Sequence, residues 1–223
     1  MDSEMQGFGK SIAGRTLPEQ LPLFPLQGAL LLPGGQLPLN IFEPRYLRMI
    51  DDALADGRTI GMIQPRNGMS GDRPPLYQVG CAGRLVGFNE TDDGRYLINL
   101  HGMQRFRVAE ELAADTPYRL ATVDYGPFAI DKGDDPSAAD VDRDRLLTAM
   151  RAYLDAEGLK TDWDMVEDAP SESLVVSLAM GCPFAPNEKQ ALLEAEDTAE
   201  RADCLVALME MARSDPGDDT RLQ

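Results

Sequence analysis

The chain has 223 residues, enough to bury a real hydrophobic core without disulfides, and a formal net charge of −17. Phosphate backbones are bound by clustered Lys/Arg, and no basic cluster interrupts the acidic surplus, so nucleic acid is not an expected partner. The 3 cysteines, Cys81, Cys182 and Cys204, lie far apart with no CxxC spacing, which predicts free thiols in a reducing, cytoplasmic setting rather than a disulfide framework or a zinc site.

Residues 1–17 are small, polar and glycine-dotted and predict a flexible arm without the apolar stretch of a secretory signal. Gly9-Lys10-Ser11 lacks the upstream glycine of a phosphate-binding loop, since Glu4 stands in its place. Leu21, Leu23 and Leu26 flank Pro22 and Pro25; this predicts an edge or irregular strand, because each proline removes a ladder donor. Leu30–Leu32 run into Pro33-Gly34-Gly35, a chain-reversal signal, and Gln36–Ile41 form a second extended run. Pro44 suits a first helical position, and Tyr46, Leu47, Ile50, Ala53 and Leu54 then fall at helical spacing up to Gly57.

Thr59–Gln64 is a short apolar run, and residues 66–75 (RNGMSGDRPP) read as a turn-rich loop. Tyr77–Phe88 carries Gly80, Gly83 and Gly87, spaced as glycines are at bulges or close backbone approaches. Asp92-Asp93-Gly94 predicts a hairpin joining Arg84–Asn89 to Arg95–Leu100. Arg105–Val108 alternates with Phe106 and Val108 inward, and Tyr118–Val123 supplies the last strand. Short strands with glycine bends and one helix suggest a small, partly closed barrel over residues 18–130.

Residues 131–139 (DKGDDPSAA) read as a polar linker, beyond which the period becomes helical. The charge steps at the same place: residues 1–130 hold 12 Lys/Arg and 15 Asp/Glu, and residues 131–223 hold 9 and 23. Over 140–213 the spacing predicts a helix from Val141 to Gly158, a short piece at Trp163, and a helix capped by Ser171. Asn187 is read as the cap of Glu188–Ala195 and Asp197 as the cap of a long last helix, with a disordered acidic tail over 214–223. No run approaches the ~20 apolar residues of a membrane span, so no membrane partner is expected.

The run LPLFPL…LLPGGQLPLNIFEPRYLRMI resembles the start of the N-terminal, substrate-binding domain of ATP-dependent Lon proteases and of stand-alone bacterial proteins carrying that domain alone. Gly102–Phe106 is similar to that family's glycine-to-Arg-Phe strand, and SLVVSLAMGCPFAPNEKQALLEAEDTAERADCLVALM to its helical part, so the likeness spans roughly Leu21 to Ala212. It implies an α+β fold: an N-terminal PUA-like six-stranded β pseudobarrel with one inserted helix, followed by a C-terminal α-helical bundle. It also implies polypeptide binding. The ATPase and Ser-Lys protease modules of a full Lon protease are not expected in this chain.

The residues themselves offer little chemistry. His101 is the only histidine, which excludes a multi-imidazole metal site, and no nucleophile or orienting group is spaced to serve it. No GxSxG elbow occurs, and the acidic pairs sit in turns, helix ends or tails. No metal, cofactor or enzymatic activity is expected. What remains is the Pro33 turn and the Phe42-Glu43-Pro44-Arg45-Tyr46 corner. In one reading Glu43 and Arg45 brace the corner over Phe42 and Tyr46. In the other, the corner and the 66–75 loop rim an apolar groove for an extended polypeptide, aided by strand addition. The candidate peptide-binding residues are thus Pro33, Phe42, Glu43, Arg45, Tyr46, Met69 and Arg105, and the partners are unfolded or exposed apolar segments. An RNA-binding PUA-like protein and a stand-alone peptidase are the rival readings.

Overall fold

The computed structural model describes residues 17–66 and 73–214. The expected arm, tail and Met69 lie outside the described residues. Six strands make one sheet: β1 (Gln20–Pro25), β2 (Gln36–Ile41), β3 (Thr59–Pro65), β4 (Leu76–Glu90), β5 (Tyr96–Leu112) and β6 (Arg119–Asp124), with α1 (Pro44–Ala55) between β2 and β3. Their order is β2-β5-β4-β3-β1-β6, and a further β5–β6 pairing closes five of them into a ring. β5 makes this possible by its length. Its first half pairs with β2 and its second half, from Arg107 to Leu112, with β6. β2 is left as the edge.

β1 is therefore an interior strand, not the edge that its prolines suggested. The reason lies in the sides the prolines face. Backbone groups alternate in direction along a strand. Leu26 N–H bonds Ile63 on β3, and Glu19 C=O accepts from Val123 on the β6 side, so even residues face β3 and odd ones face β6. Pro22 faces β3, but that pairing begins only at Leu23. Pro25 faces β6, where pairing ends at Leu23. Each missing donor falls where the ladder needs none.

The ring interior is filled by Leu21, Leu23, Ile63, Ala82, Ala121 and Val123 around Phe106, which is fully buried. A Cβ on Gly80 would stand 2.5 Å from both the Phe106 ring and Met62 C=O, so the strand carries glycine there for close packing. Gly83 and Gly87 mark the two register shifts in the β4–β5 ladder. The Pro33-Gly34-Gly35 turn is stapled to Gly102 by two backbone hydrogen bonds of 3.0 and 2.9 Å, and a Cβ at Gly102 would lie 1.9 Å from Leu32 C=O.

After β6 come two 3-10 segments, Gly126–Lys132 and Pro136–Asp140. Then follow α2 (Arg143–Ala156), α3 (Trp163–Asp168), α4 (Ser171–Gly181), α5 (Pro186–Glu194) and α6 (Thr198–Ser214). Asp197 caps α6 through Glu200 N–H at 2.9 Å. The other two expected caps are displaced. Ser171 is already inside α4, whose cap position is Pro170. α5 starts from Ala185, whose N–H is taken by Glu188 at 2.7 Å, not from Asn187.

One apolar cluster joins barrel and helices, running from Phe24, Leu31 and Tyr46 to Leu146, Val175 and Leu205. Residues 131–139 act as a tie across it. Asp135 accepts from Ser137 N–H at 2.9 Å and from Thr198 N–H at 2.8 Å, fastening the segment to the start of α6. Asp131 receives Arg105 of β5 through three guanidinium contacts of 2.9–3.2 Å. Arg105 also donates to the carbonyls of Leu193 (3.1 Å), Ala195 and Glu196 (3.0 Å) at the end of α5. These are the carbonyls a helix C-terminus leaves unpaired, at the negative end of its dipole. Arg201 adds a bond to Leu192 C=O at 2.8 Å. Gln64 bridges the same junction, taking Gly28 N–H at 3.0 Å and donating to Pro186 C=O at 2.9 Å.

Candidate functional site

The corner after β2 divides into a packed part and a free part. Tyr46, in the first turn of α1, is buried, its ring 4.5 Å from that of Phe24. Glu43 and Arg45 brace each other at 2.8 Å, and the Arg45 guanidinium lies 4.5 Å from the Tyr46 ring centre. Phe42, by contrast, is 65% exposed rather than packed under the corner.

Beside this corner opens a cleft of about 420 Å³, within the size range of ligand sites. Tyr46 and Tyr118, both buried, form its floor; Pro25, Pro65, Pro74 and Pro117 form its walls. Arg45, Arg73 and Arg119 complete the lining, so every charged residue facing it is an arginine. Tyr118 is fixed by donating its hydroxyl to Asp52 of α1 at 2.8 Å. Burial and that bond push its phenol up to about 12. Burial likewise raises Tyr46. Both rings therefore stay neutral donors over the ordinary pH range. Arg119 donates to Pro74 C=O at 2.6 Å and pairs with Glu111 on β5, which ties residue 74 to the barrel.

Of the residues expected to bind a peptide, the structure brings Arg45 and Tyr46 into the cleft, with Glu43 behind Arg45. Pro33 does not line it, and its turn packs on β5, with Gly35 against Met180 of α4. Arg105 is corrected outright. It is 1% exposed and spends its donors on Asp131 and the end of α5, so it has no surface to offer a peptide. Met69 lies outside the described residues, and Phe42 is exposed but not part of the lining. Tyr118, Arg119 and Pro117 went unread, whereas Arg73 and Pro74 belong to the 66–75 loop read as a rim of the groove. Tyr118 carried no local signal beyond its place in a strand, and the cleft forms only when β6 is brought beside β1 and α1.

Strand addition meets an obstacle at the true edge. Gly35 C=O accepts from Gly102 N–H, so by alternation the odd residues of β2 face β5, and Pro38, opposite Asn99 and without an N–H, faces the open side. A strand added to β2 would miss a donor at its centre. Burial raises the Cys81 thiol and pushes Cys182 up to about 11, which keeps both protonated and poorly nucleophilic. Among the described residues no three His, Cys, Asp or Glu side chains gather as metal ligands do.

Comparison with known proteins gives a consistent result. A family model described as the ATP-dependent protease La (LON) substrate-binding domain matches residues 20–211. Lon protease 2 of Myxococcus xanthus is 28% identical over 206 residues, covering 88% of this chain and 24% of that protein. Lon protease of Flavobacterium johnsoniae is 25% identical over 191 residues, covering 83% and 23%. The chain thus spans about a quarter of the length of these curated relatives. Among solved structures, a Lon N-terminal domain protein from Xanthomonas campestris matches with a TM-score of 0.61 at 24% identity, over 84% of this chain and 97% of that one. The N-terminal domain of a Mycobacterium avium complex Lon protease matches with a TM-score of 0.63 at 17% identity, over 86% and 98%. Both likenesses support the α+β fold of this chain.

Proposed function

Because the chain belongs to the ATP-dependent protease La (LON) substrate-binding domain family, we propose that it is a non-catalytic module that binds unfolded or exposed apolar segments of other polypeptides. The observation that carries this reading is the cleft beside α1, whose tyrosine floor and proline walls suit the side chains of an extended chain. Phe42 stands at the same corner with its ring in solvent and extends the apolar surface there. Binding is weak, since a small groove must offset the ordering of a flexible peptide. The raised thiols of Cys81 and Cys182 support a role without covalent chemistry. All three cysteines are free, in keeping with the cytoplasm. Calorimetric titration with a reduced, alkylated and therefore permanently unfolded protein tests the reading. It predicts saturable heat and no release of fragments. Absence of heat at millimolar peptide contradicts the binding, and fragment release abolished by changing one side chain contradicts the non-catalytic role.

A further inference from the structure

The lining of the cleft runs against the charge of the chain as a whole. In a chain of net charge −17, three of its nine lining residues are arginines and none is acidic. Two of these cations are already engaged. Arg45 faces Glu43 at 2.8 Å, and Arg119 holds Glu111 and Pro74 C=O. Arg73 is exposed and, among the described residues, has no hydrogen-bond or ion-pair partner. Arg73 thus lines a cleft floored by buried aromatic rings, and among the described residues nothing takes its donors.

Resting on the polypeptide-binding reading, we propose that the cleft selects extended segments in which an apolar residue neighbours a single Asp or Glu side chain, with Arg73 meeting the carboxylate. The floor takes the apolar side chain. The cation takes the flanking acid, in the planar two-bond geometry that guanidinium and carboxylate share. One acid is favoured and a run of them is not, because the acidic surface, densest after residue 130 with 9 Lys/Arg against 23 Asp/Glu, repels polyanions.

The test uses short apolar peptides, acetylated and amidated at their ends, that differ only in one Glu or Gln beside a Leu. Affinities are read by fluorescence anisotropy with the full chain and with its Arg73→Gln and Arg73→Lys variants. Arg73 is exposed, so both variants fold, which an unchanged melting temperature verifies. The Glu peptide binds about two- to five-fold more tightly than the Gln peptide at low salt, the range of an exposed ion pair. Arg73→Gln erases the difference and Arg73→Lys keeps part of it. Equal binding of the two peptides overturns acid selection while leaving polypeptide binding intact. A Glu preference that survives Arg73→Gln overturns the assignment to Arg73. Competition by inorganic phosphate without any Glu/Gln difference makes the arginines a phosphate site instead. A preference only for peptides with a free C-terminal carboxylate makes them a terminus site. If neither peptide binds at millimolar concentration, the polypeptide-binding reading falls as well.

Discussion

Replacing Arg105 by Met removes the charged clasp between barrel and helices while keeping much of its aliphatic volume. The substitution takes the cation from Asp131, which is 6% exposed by side chain and keeps only the backbone N–H of residue 105 at 2.8 Å, and it removes a donor from the carbonyls of Leu193, Ala195 and Glu196. Breaking a buried ion pair from one side costs about 3–5 kcal/mol, chiefly because the remaining charge is left unpaired in a dry site. Whole-domain stability is only about 5–15 kcal/mol, so one side chain governs a large share of the margin. With a urea m-value of about 1–3 kcal/mol per molar, the unfolding midpoint falls by about 1–5 M, followed by circular dichroism with m unchanged. Adding Asp131→Leu to Arg105→Met recovers part of the loss, since it deletes the stranded charge. A loss below about 1 kcal/mol, or one abolished in ~1 M salt, refutes the buried clasp, because only exposed pairs are so weak and so easily screened.

Three further outcomes follow from the same packing. Gly102→Ala drives a methyl into Leu32 C=O and costs about 1–3 kcal/mol in urea unfolding, as overpacking does; a neutral result contradicts the close approach of the Pro33 turn to β5. Tyr118 has a folded value of about 12 against an ordinary 10.0. Its neutral form therefore contributes stability in full below about pH 10, and the contribution is lost as pH rises through about 12. Tyr118→Phe flattens that alkaline loss, read as the change in urea midpoint between the two ends of the window; an unaltered slope contradicts the raised phenol that burial and the Asp52 bond produce. Toward a thiol reagent, half-buried Cys204 reacts first, and Cys81 and Cys182 react only on unfolding; equal rates for all three contradict the burial.

Local chemistry made α1 readable: Pro44 opens it, its apolar spacing sets the buried face, and Gly57, at φ +72°, follows its end. The Asp92-Asp93-Gly94 hairpin was equally plain, with Gly94 at φ +78°. The place of β1 was not, because a proline's cost depends on which neighbour its missing donor faces, and register is decided by strands distant in the chain, as in the pairing of Gln20 with Thr122. The junction was hidden for a related reason. Asp131 and Asp135 look like solvated linker acids until β5 and α6 bring Arg105 and the Thr198 N–H to them. The candidate site was half legible. Arg45 and Tyr46 stand in a contiguous motif and Arg73 in the 66–75 loop read beside it, whereas Tyr118 and Arg119 join them only through ring closure.

Amide chemical-shift mapping of the isotope-labelled protein with an extended apolar peptide bears most directly on the idea that this molecule acts by holding other chains in its tyrosine-floored cleft. Saturable shifts concentrated at Arg45, Tyr46, Arg73, Tyr118 and Arg119 are predicted. An unchanged spectrum at millimolar peptide, or shifts confined to surfaces remote from those residues, contradicts it.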